Sequence, residues 1–223
     1  MSNAVNEIVK QNELKVRSDH ERDLSLLVSA AFGKGLKTFD AITRLCLLGF
    51  GEDALVLLRS NINLLINIAY ILSSENPIDR ASDFIAFSYK ERVKYLKIAF
   101  DKPNPWTPRI PPDEIDRRAK SWGKITIETK AKAVPSFYYT QGYRFYSSIE
   151  HSDAWALSAY IDEWDERGPH ITAAPTDKHM YVALVQNFGV MADFLLKVCQ
   201  YFGIDRPDIV SRLQGTWAEL GRR

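Results

Sequence analysis

The sequence predicts an all-α fold, a bundle of about six to eight helices. Apolar residues recur at three- and four-residue intervals over most of the chain, and Gly or Pro punctuates the gaps between these stretches. No run shows the apolar/polar alternation, closed by a tight turn, that a hairpin requires.

Taken in order, Val5, Ile8, Val9 and Val16 suggest an N-terminal helical extension over residues 1–20, followed by one domain over 21–223. Leu24, Leu27, Val28, Ala31 and Phe32 lead into Gly33-Lys34-Gly35, where a break or bend is expected. Phe39, Ile42, Leu45 and Cys46 carry a helix to a glycine stop at Gly49. Glu52 to Ser74 is the strongest helix, and Pro77 follows it. Phe84, Phe87, Tyr95 and Ile98 mark the next one. It closes at 101–112, where five prolines preclude a helix interior. Ile115 to Ala133 is expected as one helix, and Pro135 precedes another that runs past Tyr143. Residues 167–177, with Gly168, Pro169 and Pro175, are expected to form a long loop. Tyr181, Leu184, Val185, Phe188, Met191, Leu195, Val198 and Phe202 form a helical stripe. Asp205 and Pro207 start a last helix with Ile209, Leu213 and Trp217 facing inward.

With 223 residues, 46% of them hydrophobic and 26% charged, the chain has enough material for a sizeable core. Cys46 and Cys199 lie among apolar neighbours and read as buried thiols of a reducing compartment. No secretory signal is read at the start. The apolar stretch Ala54 to Leu72 contains Arg59, Asn61, Asn63 and Asn67, each costly in hydrocarbon, so a core helix is expected in place of a membrane span. The expected location is the cytoplasm. With 29 Lys plus Arg against 28 Asp plus Glu, the net charge of +1 provides no global field for nucleic acid, so any such contact must be local. The basic positions Arg117, Arg118, Lys120, Lys124, Lys130 and Lys132, with Lys90, Arg92, Lys94 and Lys97 upstream, read as solvated helix faces balanced by nearby acids.

Two polar features interrupt the apolar pattern. Arg144, Ser147, Ser148 and His151 fall at i, i+3, i+4 and i+7, so on a helix they share one face. Arg59, Asn63 and Asn67 recur at i, i+4 and i+8 within the most apolar helix. An unpartnered buried polar group costs about 1 to 3 kcal/mol, so this seam requires partners. They are either the stripe at 144–151 or a local network in which Arg59 bonds helix carbonyls or a carboxylate such as Asp53.

Phe39 to Ile71, with Ala41-Ile42-x-x-Leu45-Cys46-x-x-Gly49, Asp53-Ala54 and Leu57-Leu58-Arg59-Ser60, followed by Tyr143-Arg144-x-x-Ser147-x-x-x-His151, resembles an uncharacterised group of prokaryotic helical proteins. That group is similar to the HEPN superfamily, the higher-eukaryote and prokaryote nucleotide-binding helical bundles. The resemblance runs from about Lys34 to Trp155, within an HEPN-like core of about 34–202. It implies a bundle that dimerises, an Arg-x(4 to 6)-His motif supplied by each protomer, and metal-independent RNA cleavage without a cofactor. It also implies an RNA substrate and, as a partner, a cognate antitoxin or another protein of a phage-defence system. Arg144 and His151, with six residues between them, match the motif; Phe145 follows the arginine, and Asn63 stands where related branches often carry Glu.

These residue types suit that chemistry. Cleavage by transesterification has the 2′-hydroxyl attack its own phosphate, with no metal. His151, as an imidazole, would move a proton as general acid or base. Arg144 presents a planar, bidentate donor to the phosphoryl oxygens. Ser147 and Ser148 would orient these two, and Tyr143 or Tyr146 would stack a base.

Other signals do not hold. Gly49-Phe50-Gly51-Glu52-Asp53-Ala54 has the letters of a dinucleotide fingerprint but follows a helix, which makes it a helix–helix turn. Gly33 to Thr38 lacks full phosphate-loop spacing. His20, His170 and His179 show no metal-ligand pattern with the cysteines, and the acids at 162–166 read as a solvated face. Two classes of function are left, a HEPN-like ribonuclease effector and a non-catalytic helical module that binds a protein partner or nucleotide through the same cleft.

Overall fold

A computed structural model describes residues 18, 20–100, 109–151, 157–158, 160–171 and 174–220. The described residues form an all-α bundle with eight α-helices and one small hairpin. The helices are α1 (Arg22–Leu47), α2 (Gly51–Leu72), α3 (Pro77–Phe100), α4 (Pro112–Gly123), α5 (Ile127–Ala131), α6 (Arg144–Glu150), α7 (Met180–Phe202) and α8 (Pro207–Leu220). A π-helical turn, Tyr138–Tyr143, leads directly into α6. The expected extension lies almost entirely outside the described residues, as does the Trp217 side chain.

The core is a three-helix layer in which α1, α2 and α7 pack on one another. Leu55, Leu58, Ile62, Leu65 and Ile66 of α2 are wholly buried, as are Val28, Ile42, Phe194 and Val198 around them. Phe32 and Phe194 meet edge to face with centroids 5.6 Å apart, which joins α1 to α7. By length and composition α2 and α7 are apolar enough to cross a membrane, and half of the most apolar window of each is buried inside this bundle.

Three expectations about the elements are corrected. The chain does not break at Gly33 or Gly35, since α1 runs on to Leu47. A Cβ on Gly35 would lie 3.3 Å from Met191 Sδ and from the Phe194 ring, so this glycine lets α1 approach α7 closely. The helix expected over 115–133 is two helices. Gly123 ends the first, and the Thr126 hydroxyl caps the second by accepting from the Thr129 amide at 3.2 Å. The segment expected as a long loop contributes β2 (Gly168–Ile171), paired antiparallel with β1 (Ile161–Asp165). Gly168, at φ 113°, makes the turn, and the Asp165 carboxylate accepts from the Arg167 amide at 2.7 Å.

Gly49 ends α1 as expected, at φ 84°. The loop ahead of α7 closes over this turn. The Thr176 amide donates to the Gly49 carbonyl at 2.8 Å, and a Cβ on Gly51 would come within 2.1 Å of the Lys178 carbonyl. The basic positions along α3 and α4 are largely paired. Lys90 meets Asp116 at 2.8 Å, Arg117 meets Glu114 at 3.0 Å, and Arg118 contacts Glu114, Asp79 and Asp83.

Candidate active site

The segment from Pro135 to His151 lies across α2. Its inner side is formed by Tyr138, Gly142 and Tyr146, all buried. Tyr138 donates to Asp193 at 2.7 Å, which ties the π-helical turn to α7, and burial beside that carboxylate pushes its phenol pKa upward. Gly142 sits on Ile62, and a Cβ there would fall 2.6 Å from Ile62 Cδ1.

Where this segment meets α2, Arg59 is the centre of the contact. Its Nε donates to Ser147 Oγ at 2.8 Å and its Nη2 to the Tyr143 hydroxyl at 3.2 Å, with Cζ 4.6 Å from the Tyr143 ring centroid. Its Nη1 forms an ion pair with Glu150. The Arg59 side chain is 16% exposed, so these partners replace most of its water. Ser147 passes the contact on by donating to the Tyr143 carbonyl at 2.6 Å. Tyr139 stacks on Tyr143 at a centroid distance of 6.1 Å.

Arg59 thus reaches the stripe at Ser147, and its carboxylate partner is Glu150 in place of Asp53. Glu150 was not legible as its partner, because the pairing depends on how α6 crosses α2. The rest of the seam closes on itself, with Asn67 donating to the Asn63 carbonyl at 2.9 Å and to its Oδ1 at 3.1 Å. Asn63 therefore stands outside the Arg59 cluster. Ser148 donates to the Phe145 carbonyl at 2.8 Å and is likewise turned to its own helix.

Arg144 and His151 lie on the outer side of α6. Arg144 is exposed and has no partner among the described residues. His151 ends the helix, its amide donating to the Ser147 carbonyl at 3.0 Å, and its side chain is 72% exposed with Nε2 3.9 Å from Glu150 Oε2. The stripe is therefore a solvent-facing edge anchored at Ser147, and not a buried polar seam. Tyr146, 1% exposed, is part of the core and cannot stack a base; Tyr143 is half-buried under Arg59. Residues 152–156, directly after His151, lie outside the described residues.

Chemically, the arrangement offers a guanidinium with no partner among the described residues and an accessible imidazole, at the two ends of one short helix. Among the described residues, no group of three or more His, Cys, Asp and Glu is placed to hold a metal ion. Comparison with curated proteins and with solved structures finds no match. A family comparison does: over residues 25–169, more than half of its length and including α6 with both exposed residues, the chain matches, and so belongs to, DUF5677, a family of unknown function.

Proposed function

We propose that the outer edge of α6 is the active site of a HEPN-like, metal-independent endoribonuclease that works in the cytoplasm as a symmetric homodimer, in a toxin or phage-defence role. One observation carries this reading. Arg144, on the seven-residue α6, and His151, just past its end, are both open to solvent, and the inner side of that helix is fixed by Arg59, Tyr143 and Ser147. A cation without a partner among the described residues and a proton carrier at the same edge suit a phosphodiester. They lie about 10 Å apart along the helix axis, within joint reach of their side chains.

In the proposed reaction the 2′-hydroxyl oxygen attacks the adjacent phosphorus and loses its proton. The bond from phosphorus to the 5′-oxygen breaks, leaving a 2′,3′-cyclic phosphate and a 5′-hydroxyl. His151 of one protomer takes the first proton and the same residue of the second copy supplies the other, which gives the dimer a chemical role. Arg144 neutralises charge on the non-bridging oxygens. Arg59 acts through the helix: it holds Ser147 and Glu150, and Glu150 stands beside His151.

The test is cleavage of single-stranded RNA by purified protein in EDTA, with the product ends identified. His151→Ala is expected to lower the rate by about 10² to 10⁴ while the fold survives. Arg144→Lys keeps the charge and loses the fork, so a clear loss is expected there also. Equal cleavage by wild type and His151→Ala would place the activity elsewhere. A folded wild-type protein that cleaves no RNA would overturn the reading in favour of a non-catalytic binding module.

A further inference from the structure

The three-helix layer opens at one end into a cavity that the candidate site does not use. Its volume is about 420 Å³ and it is open to solvent along one side. It is bounded by the start of α1, the last turn of α2, the first turn of α3 and the last two turns of α7. That size falls within the range of small-molecule sites. Ala69, on its wall, stands ten residues beyond Arg59 along α2, or about 15 Å, so the cavity is separate from the contact that holds α6.

Its walls differ in chemistry. Leu24, Ala69, Leu72 and Ile78, from α1, α2 and α3, make it apolar, and α7 supplies a polar wall. Lys197, Gln200 and Tyr201 fall there at i, i+3 and i+4, on one face of the helix. Tyr201 is held by the buried Ser25, with the two hydroxyl oxygens 2.9 Å apart. Lys197 is half-buried and makes no hydrogen bond or ion pair among the described residues, whereas Lys34, Lys90 and Lys94 each reach a partner. Glu21, the acid among the lining residues, already has a partner. α2 ends and α3 begins at the cavity, so the opposite ends of their dipoles offset each other there. The charge left to be matched is the Lys197 ammonium.

We propose that this cavity binds a medium-chain monocarboxylic acid, with the carboxylate on Lys197 and Gln200 and the alkyl chain against Leu24, Leu72 and Ile78. The carboxylate gives the ammonium a charge-assisted hydrogen bond, and the alkyl chain leaves water in the same step. One point-charge donor and one amide suit a single carboxylate, whereas a phosphate calls for more donors than this wall supplies. An alkylamine would bring a like charge to Lys197, and an alcohol would leave it without a counter-ion.

The experiment is isothermal titration of the folded full chain with octanoate, octylamine and octanol, each below the concentration at which it aggregates. Octanoate is expected to bind saturably at one site per chain, about tenfold or more tightly than either of the others. Lys197→Met should weaken octanoate by about tenfold and leave octanol unchanged, while Lys197→Arg, which keeps the charge, should retain most of the affinity. Ser73→Trp, at an exposed lining position, should obstruct the cavity and abolish binding of octanoate. Octylamine or octanol binding as tightly as octanoate overturns the proposal, as does octanoate binding untouched by Lys197→Met. Octanoate that binds Ser73→Trp as it binds the wild type would place the ligand elsewhere on the chain and overturn it too. Heat without saturation, the behaviour of an adventitious additive only, has the same meaning. None of these readouts depends on RNA cleavage.

Discussion

Arg59 and Lys130 are two cations drawn from neighbouring helices into the same bundle, and they are held in opposite ways. Arg59 ends on Ser147, Tyr143 and Glu150, so its charge is matched and its donors are used. Lys130 ends on the face of Trp122, with no ion pair among the described residues. A guanidinium with three partners fixes position: it pins α6 and, with it, the edge that carries Arg144 and His151. An ammonium over one ring fixes little and titrates within reach of neutral pH. The same bundle thus contains a cation whose donors are matched and a cation that rests on a ring.

Arg59→Leu breaks the first side of this contrast and should have the largest effect. It strands the Glu150 carboxylate and two hydroxyls at a partly buried contact, for which about 2 to 3 kcal/mol is expected by urea unfolding. A loss below about 0.5 kcal/mol would show that Arg59 does not hold α6. Lys130→Met sharpens the second side. The folded-state pKa of Lys130 lies below its unfolded value, so the unfolded chain binds more protons between about pH 8 and 10.5, and the wild type gains stability as pH rises across that window. The methionine variant is expected to be more stable by about 1 kcal/mol at pH 7, with the gap closing by pH 10. A gap that does not change with pH would break the comparison. Tyr143→Phe is the finest probe, since it deletes one donor–acceptor contact at 3.2 Å and keeps the ring under Arg59; about 0.5 to 1 kcal/mol is expected. A loss equal to that of Arg59→Leu would mean that the hydroxyl, and not the ion pair, secures the contact.

The helices were legible because their apolar residues report which side is buried, and Gly49, Pro112 and Pro207 punctuate them. The Gly33–Gly35 bend was misread because its cause is tertiary: Met191 and Phe194 need a helix without side chains at Gly35, and local propensity carries no trace of that. The hairpin was missed because Gly168-Pro169 reads as loop chemistry and the acids at 162–166 mask any alternation. At the candidate site, an arginine in an apolar run needed an answer, and periodicity left two open, the stripe at 144–151 or a local network; the contact is with Ser147, Tyr143 and Glu150. Periodicity did not distinguish an enclosed stripe from an outward edge, because α6 mixes polar and aromatic residues around its circumference and has Ile149 as its one aliphatic residue. Lys130 was indistinguishable from the solvated bases around it, as nothing in a run of lysines marks the one whose helix turns it onto a tryptophan.

The π-helical turn turns chain length into orientation. Tyr138, Gly142 and Tyr146 all face inward at intervals of four, and the turn absorbs what would otherwise accumulate as rotation between them. A π-helical turn accommodates one residue more than an ordinary helix of the same span, so removing Thr140 would let the segment relax to an ordinary helix with Arg144 still aimed outward. Removing a residue within α6, which has no such slack, would instead swing His151 by about 100° from Arg144. For this stretch the count of residues matters as much as their identity, and it matters in different ways on the two sides of Tyr143.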